Sequence, residues 1–217
     1  LGNVGDLDPL FQSAEYYLQM WEKSLVAAAT IPPAPDDDNV APTVTATPAS
    51  PANGNGWHKD PGFFVKFDAQ DNPGGAGVKG VFVFVVGPNN PPFDLRRSDE
   101  ATLDVTVNEG KSQLFYTAAD LNGNVNELQT IDVWLDTTPP TIDGTASPPP
   151  ANPAASPPWN KEDVTVAFAC SDALSGVASC PTPVVVSIEG AGLSVTAYAF
   201  DLAGNRTLSR TLMTSFA

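Results

Sequence analysis

The chain has 217 residues, with 25 acidic and 10 basic side chains and a formal net charge of −15 at pH 7. Such an acidic chain repels a phosphate backbone and an anionic membrane, which argues against a nucleic-acid partner. No apolar run reaches the roughly 18 residues of a membrane-spanning helix, so no membrane insertion is expected. The 17 glycines and 22 prolines, against only 16% charged residues, favour β domains with many turns.

The first predicted element is an amphipathic helix at about residues 8–29. Asp8-Pro9 is a typical helix start, because the acid can cap free N–H groups and proline is favoured at the first helical position. The helix ends before Pro32-Pro33, and the residues up to 37 form a Pro-rich acidic linker. Apolar residues recur at helical spacing: Leu10, Phe11, Ala14, Tyr17, Leu18, Trp21, Leu25 and Ala28.

The apolar stripe of this helix needs a partner. One interpretation is that it docks on the adjacent β domain or on a domain upstream of this chain. The other is that it packs against a neighbouring protein, either a copy of this chain or a surface protein. A membrane-surface role is least favoured, since the polar face carries one Lys and no Arg. The residues expected to bind the partner are Phe11, Tyr17, Leu18, Trp21 and Leu25.

Two stretches with the same order of residue types follow the linker. Asp38-Asn-Val-Ala-Pro-Thr43 and Asp136-Thr-Thr-Pro-Pro-Thr141 each have an acid, a Pro-Thr pair and then a β-branched residue. In both copies a short strand, a Pro-rich loop and a tryptophan come next. The repetition predicts two tandem domains, at residues 38–137 and 138–217.

Alternating apolar residues predict strands in both copies. In the first copy they cover 43–47, 63–67, 81–86, 101–107, 112–118 and 128–135. In the second copy they cover 141–147, 164–168, 184–188, 193–200 and 208–216. Short strands separated by turns are typical of a β-sandwich. The expected fold class is therefore mainly β, with two tandem β-sandwich domains after one N-terminal helix.

Three stretches carry a resemblance to a known family: Asp136 to Thr141, Asp172 to Pro181 with Ser175-Gly176-Val177, and Asp201-Leu-Ala-Gly204-Asn205. With them, residues 38–217 resemble the bacterial Ig-like domains repeated in secreted and cell-surface proteins. The resemblance implies an Ig-like sandwich in each copy and an extracellular or cell-surface location. Such modules serve as stalks, adhesins, spacers and appendages of secreted enzymes.

The two cysteines lie near the end of one predicted strand, at Cys170, and near the start of the next, at Cys180. A secreted protein would use this pair as a disulfide that closes the hairpin, and two buried free thiols are the alternative. A zinc site does not fit, because the one histidine, His58, lies in the other domain. The first copy has Ala69 and Val81 at about the positions of these cysteines.

The acidic turns invite two interpretations. Asp71 with Asp120, and Asp172 with Asp201, would share a calcium site if their loops meet at one end of each sandwich. Alternatively, each is a hairpin turn in which the carboxylate accepts backbone N–H groups and Gly or Asn takes the left-handed position. Calcium is therefore the one candidate cofactor, and no other is expected.

Two tryptophans, Trp57 and Trp159, occupy matching places after the Pro-rich loops. Exposed together they would stack on sugar rings, and otherwise they plug the end of each sandwich. His58 has no companion histidine and no candidate nucleophile beside it, so no catalytic residue is expected and the chain is not predicted to be an enzyme.

The first functional hypothesis is a rigid extracellular spacer, a subunit of a bacterial surface filament or layer that assembles through the N-terminal helix and the domain ends. The second is an adhesive or polysaccharide-binding accessory region of a larger secreted protein. Leu1 is expected to be either the start of a processed chain or a cut from a longer one.

Overall fold

The computed structural model describes residues 38–212 and 215–216, apart from 89, 91–93, 152, 155–158, 189 and 191. The helix predicted at 8–29 lies outside these residues. Within them the secondary structure consists of strands, and no helix could span a membrane. The sixteen strands are β1 Thr43–Pro48, β2 Trp57–His58, β3 Phe64–Gln70, β4 Val78–Val86, β5 Asp94–Ser98, β6 Thr102–Thr106, β7 Gly110–Asp120, β8 Gln129–Leu135, β9 Thr141–Ser147, β10 Trp159–Asn160, β11 Val164–Ser171, β12 Val177–Ser179, β13 Val184–Val186, β14 Ser194–Asp201, β15 Arg206–Leu212 and β16 Ser215–Phe216.

The chain divides into two compact units. The first unit contains residues up to 51 together with 62–133, and the second contains 52–61 together with the chain from 134 onward. The division therefore falls at Val133, ahead of the boundary predicted at 137. The predicted domains, 38–137 and 138–217, are each continuous in sequence, whereas residues 52–61 are grouped here with the second unit.

Strands β1 to β8 form two sheets. One has the order β1-β3-β6 and is antiparallel, with Thr43 opposite Gln70 and Phe64 opposite Thr106. The other has the order β2-β8-β7-β4-β5. In it β4 pairs antiparallel with both β7 and β5, and the short β2 runs parallel to the end of β8.

These two sheets pack face to face as a β-sandwich. Phe67 on β3 is 0% exposed, and its ring centroid lies 5.0 Å from that of Tyr116 on β7. Successive side chains of a strand point to opposite faces, so Val65 and Ala69, both buried, lie on the same inner face as Phe67. The apolar residues that predicted β3 therefore form the middle of the core.

The second unit repeats this arrangement with shorter strands. Its sheets have the orders β13-β11-β9 and β12-β14-β15, and β10 runs parallel to β16 as β2 runs parallel to β8. Val164, Val166 and Val195 form a buried cluster against which Phe168 packs. The cluster joins β11 of one sheet to β14 of the other, so this unit is also two-layered.

The strand order agrees with the fold predicted for residues 38–217. If β1, β3, β4, β6, β7 and β8 are lettered A, B, C, E, F and G, the sheets of the first unit run A-B-E and G-F-C, with β5 beside C. The strands of the second unit give A-B-E and C-F-G in the same way. This is the order of an Ig-like sandwich that lacks strand D.

The predicted disulfide is present but does not close a hairpin. The sulfur atoms of Cys170 and Cys180 are 2.08 Å apart and their Cα atoms 5.8 Å apart. Cys170 lies on β11, and Cys180 directly follows β12, a strand that was not predicted. Because β11 and β12 belong to different sheets, the expectation of a closed hairpin is wrong, and the bond joins the two layers.

The first unit replaces this cross-link with apolar packing. Ala69 lies opposite Val44 just as Cys170 lies opposite Ile142, so Ala69 holds the position of the first cysteine. Ala69 is 3% exposed and Val81, at the position of the second cysteine, is 0% exposed. Van der Waals contacts therefore join the layers where the second unit has a covalent bond.

Reducing the disulfide is expected to lower the free energy of unfolding of the second unit by about 2–3 kcal/mol, because the bond closes a short loop in the unfolded chain. Urea unfolding followed by hydrogen exchange and mass spectrometry separates peptides of the two units. In the first unit, peptides from β3 and β7 are the internal reference. Equal stability of the second unit with and without reductant would contradict this role for the bond, and a Cys170→Ala/Cys180→Ala double variant should not respond to reductant.

Candidate functional site

Three carboxylates meet at one end of the first unit, and we call them the first acid triad. Asp38 precedes β1, Asp71 directly follows β3, and Asp120 is the last residue of β7. One carboxylate oxygen from each lies within 4.8 Å of the other two. Asp120 is fully buried, whereas Asp38 and Asp71 are half-buried. The structure thus brings Asp71 and Asp120 together as their placement in the loops predicted.

The second unit contains the same arrangement, the second acid triad. It consists of Asp136 before β9, Asp172 directly after β11 and Asp201 at the end of β14. Here too the oxygens lie within 4.8 Å of one another, and Asp136 and Asp201 are 0% and 2% exposed. Asp172 and Asp201 therefore also meet.

Asp38 and Asp136 complete the triads, although they were not predicted as site residues. Their signal was in the sequence, since each is the acid that opens its repeat. Neither lies in a turn with glycine, so the pattern of acidic, Gly-containing turns does not include them.

Backbone N–H groups hold the two half-buried acids of the first triad. Asp38 accepts the N–H groups of Val40, at 3.1 Å, and Ala76, at 2.9 Å. Asp71 accepts those of Asn72, at 3.0 Å, and Gly77, at 2.6 Å. Each of these carboxylates therefore closes a loop by charge-assisted hydrogen bonds.

The corresponding acids of the second triad are held in the same manner. Asp136 accepts the N–H groups of Thr138 and Ser175, each at 3.0 Å. Asp172 accepts the N–H groups of Leu174, at 3.1 Å, and Gly176, at 2.5 Å. The two acids thus accept backbone N–H groups in the same pattern in both units, although the loop between β3 and β4 is longer than the loop between β11 and β12.

The third acid of each triad shapes a tight turn. Asp120 accepts the N–H of Asn124 at 2.8 Å and its side-chain Nδ2 at 2.7 Å. Asp201 makes the same two bonds to Asn205, at 2.8 and 2.9 Å. Between them Gly123 and Gly204 each have φ of +90°, a conformation that residues with a Cβ rarely adopt.

The asparagine of this turn also ties the turn to the opening acid. Asn124 Nδ2 lies 3.0 Å from the carbonyl oxygen of Asp38, and Asn205 Nδ2 lies 2.8 Å from that of Asp136. The Asp-x-x-Gly-Asn motif therefore fastens the end of β7 or β14 to the segment that enters β1 or β9. These bonds are what the turn interpretation of the motif predicts.

The triads also satisfy one requirement of a calcium site. Calcium lies about 2.3–2.6 Å from its ligand oxygens, so three oxygens within 4.8 Å of one another can share one ion, but it takes six to eight oxygens in all. The geometry is compatible with both a structural turn and a calcium site. Calcium binding by Asp71, Asp120, Asp172 and Asp201 therefore stays a prediction.

A chelator distinguishes the two interpretations. Because each carboxylate already accepts two N–H groups, we expect the melting temperature to be the same in excess EDTA and in millimolar calcium. A bound ion would instead add RT ln(1 + [Ca²⁺]/Kd) to the free energy of unfolding, and the melting temperature would rise with the calcium concentration. A calcium-dependent rise that is lost on Asp120→Asn and Asp201→Asn, with magnesium as the control, would establish the ion and contradict our expectation.

The first triad predicts a dependence of stability on pH. Hydrogen bonds from the backbone of Ala76 and Val40 lower the pKa of Asp38 below its usual value of 3.8, and desolvation partly opposes them. A carboxyl whose pKa is lower when folded stabilises the protein above its unfolded pKa of about 3.9 and loses this effect as the pH falls through the folded value.

We therefore expect the urea midpoint of the first unit to decline as the pH falls from about 5 to about 2, the range around the unfolded pKa. The decline should be shallower in Asp38→Asn. The exposed Asp99 provides the control, since Asp99→Asn should follow the unmodified protein. Parallel curves for Asp38→Asn and the unmodified protein would contradict the contribution of Asp38.

The tryptophans predicted for a sugar platform differ in burial. Trp57 is 5% exposed, and its ring centroid lies 5.7 Å from that of Trp134. Trp159 is half-buried at the start of β10. Burial of Trp57 favours the plug over the platform, and a sugar ring would reach this side chain only after local opening. His58 is also buried.

The five residues predicted to bind a protein partner, Phe11, Tyr17, Leu18, Trp21 and Leu25, all lie outside the described residues. Binding of a partner by these residues stays a prediction.

No protein-family model and no curated protein matches the sequence. Among solved structures, the chain is similar to the fibronectin(III)-like modules of Clostridium thermocellum CbhA, at 15% identity and a TM-score of 0.33. That similarity covers 79% of this chain and 94% of the other.

Proposed function

We propose that this chain is a non-enzymatic, extracellular structural protein, a rigid pair of Ig-like units that acts as a spacer in a bacterial surface filament or layer. One observation carries the proposal. The carboxylates that would be the first candidates for chemistry accept N–H groups of the loops at one end of a sandwich, in the same way in both units. A device repeated in both units serves the architecture that the units share.

The disulfide supports the extracellular location. Cys170 and Cys180 are joined, and disulfides persist in oxidising compartments and are rare in a reducing cytosol. The bond lies between the layers of a small unit with a modest core, which is where secreted domains commonly gain stability from cross-links.

Exposed apolar side chains support contacts with neighbouring copies. At the acid end of the first unit Val40 and Leu121 are 55% and 54% exposed. In the second unit the edge strand β13 exposes Val184 and Val185, and Ile188 beyond it is 64% exposed. An apolar strand at the edge of a sheet is a template for strand pairing with another chain.

Sedimentation velocity over a concentration series tests the proposal. We expect polymers that grow with concentration, and we expect Val185→Lys to shift their formation to higher concentration because a charge blocks edge pairing. Thr196→Lys is the matched control, since Thr196 is exposed on β14, a central strand. A monomer at every concentration, or equal effects of the two variants, would contradict assembly through this edge.

A second candidate function is an adhesive or polysaccharide-binding accessory region. The observation that favours it is an exposed aromatic pair on β14, Tyr198 at 45% and Phe200 at 39%, with the Arg206 guanidinium 4.8 Å from the Tyr198 ring centroid. Aromatic faces of this kind stack on sugar rings. Retention on immobilised polysaccharide that is lost on Tyr198→Ala or Trp159→Ala would favour this function over the spacer.

A further inference from the structure

The larger sheet of the first unit has two apolar faces. Its inner face meets the sheet β1-β3-β6, as the contact of Tyr116 with Phe67 shows. In the register of β4 and β7, Val83 lies opposite Tyr116, so the neighbouring pairs belong to the other face. These outer pairs are Phe82 with Thr117, and Phe84 with Phe115.

This outer face is buried. Phe82, Phe84 and Phe115 are 3%, 6% and 7% exposed, and Thr117 is 3% exposed. Phe84 and Phe115 form an apolar cluster to which Val86 of the same face belongs. The described strands that pack across this sheet, β1, β3 and β6, belong to the sheet on its inner face.

The second unit shows that the fold itself does not bury this face. Through the shared motif, Thr117 corresponds to Tyr198 and Ala119 to Phe200. Thr117 and Ala119 are partly covered by the segment after β7, through Asn126 and Val125. Tyr198 and Phe200 are 45% and 39% exposed, so the sheet alone does not bury aromatic side chains on this face. Phe82, Phe84 and Phe115 are nevertheless buried in the first unit, so a further layer covers the outer face of β4 and β7 there.

We propose that this layer is the segment 8–29 of the same chain, lying as an amphipathic helix along the outer face of β4 and β7. Its apolar stripe offers the complementary surface, with Phe11, Leu18 and Trp21 among the residues expected to face the sheet. The burial occurs within a single copy of the chain, which is why the same chain, rather than a neighbouring copy, is assigned as the source.

The lengths agree with this assignment. A helix over 8–29 is about 33 Å long at 1.5 Å per residue. The 11 residues of β7 span about 37 Å and the 9 of β4 about 30 Å. The described chain begins at Asp38, which is bonded to the turn at the end of β7. The linker at 30–37, extended to about 25 Å, is long enough to lead from there onto the face.

A helix seated on its own sheet keeps its apolar stripe from neighbouring copies, so contacts between copies fall to the unit ends and to the edge at β13. The first unit becomes three-layered, and the second keeps an open sheet face.

Photo-crosslinking tests the proposal in the full chain. A benzophenone amino acid at position 84 should cross-link to peptides within 8–29, whereas the same probe at position 200, on the open face of the second unit, should not. A mixture of ¹⁵N-labelled and unlabelled chains shows whether the cross-link lies within one chain, as expected. Cross-links only between copies, or only to other segments, would overturn the assignment, and neither result depends on whether the protein forms filaments.

Hydroxyl-radical footprinting supplies a second test that leaves the sheet unchanged. Leu18→Glu should raise the oxidation of Phe84 and Phe115 severalfold, since a charge cannot be buried against the phenylalanines. Gln19→Glu adds the same charge on the polar face and should leave both rates as they are. Equal oxidation of the phenylalanines in Leu18→Glu and in the unmodified chain would overturn the proposal.

Discussion

Replacing Phe67 with alanine is expected to lower the free energy of unfolding of the first unit by about 3–5 kcal/mol, the usual cost of deleting a buried phenylalanine. The side chain is 0% exposed and meets the ring of Tyr116 from the opposite sheet. The substitution removes apolar burial and leaves a cavity between the layers. It therefore acts on the contact that makes the unit a sandwich.

Urea unfolding, followed through first-unit peptides by hydrogen exchange, measures this loss. The control is Leu95→Ala on the edge strand β5, because Leu95 is 45% exposed and its truncation should cost less than about 0.5 kcal/mol. A loss at Phe67 no greater than that at Leu95 would show that the two sheets are not held together by this core.

Removal of the buried acid of either triad is expected to have the second-largest effect. Asp120→Ala and Asp201→Ala should each destabilise their own unit by about 2–4 kcal/mol, since each removes the carboxylate that accepts the backbone N–H and one side-chain N–H of an asparagine. If the triads are one device used twice, the two losses should be similar in size.

The same peptide-resolved unfolding measures both variants. Asp104→Ala and Asp163→Ala are matched controls in the two units, because both acids are exposed. A full loss at Asp120 with none at Asp201, or losses no larger than those of the controls, would contradict a common role for the triads.

The sequence predicted the repeat and most of the strands because both depend on local patterns. Alternation placed β3 and β11, and the Asp-x-x-Gly-Asn motif located the turns after β7 and β14. The position of the two cysteines at the ends of neighbouring predicted strands favours a disulfide, and the structure confirms it. These features need only neighbours along the chain to be identified.

Features that depend on pairing across the fold were missed. β5, Asp94–Ser98, is a charged edge strand held by backbone pairing with β4, so its side chains carry no alternation. β12 has three residues, all exposed. Without β12, the sequence pattern predicts Cys180 in a hairpin, whereas in the structure it lies between two sheets.

The candidate site was predicted in part for the same reason. Asp71, Asp120, Asp172 and Asp201 stood out by the glycines beside them, and the structure brings each pair together. Asp38 and Asp136 join them because β1 and β9 begin at the ends of the strands that carry the other acids, a consequence of sheet order. The partner residues on the predicted helix stay a prediction.

Electron microscopy of the native material is the most direct test of the central claim, that two copies of one sandwich form a spacer rather than a catalyst. We predict regular filaments or a layer built from many copies of this chain. Isolated single copies, each attached to a catalytic domain of a larger secreted protein, would contradict it.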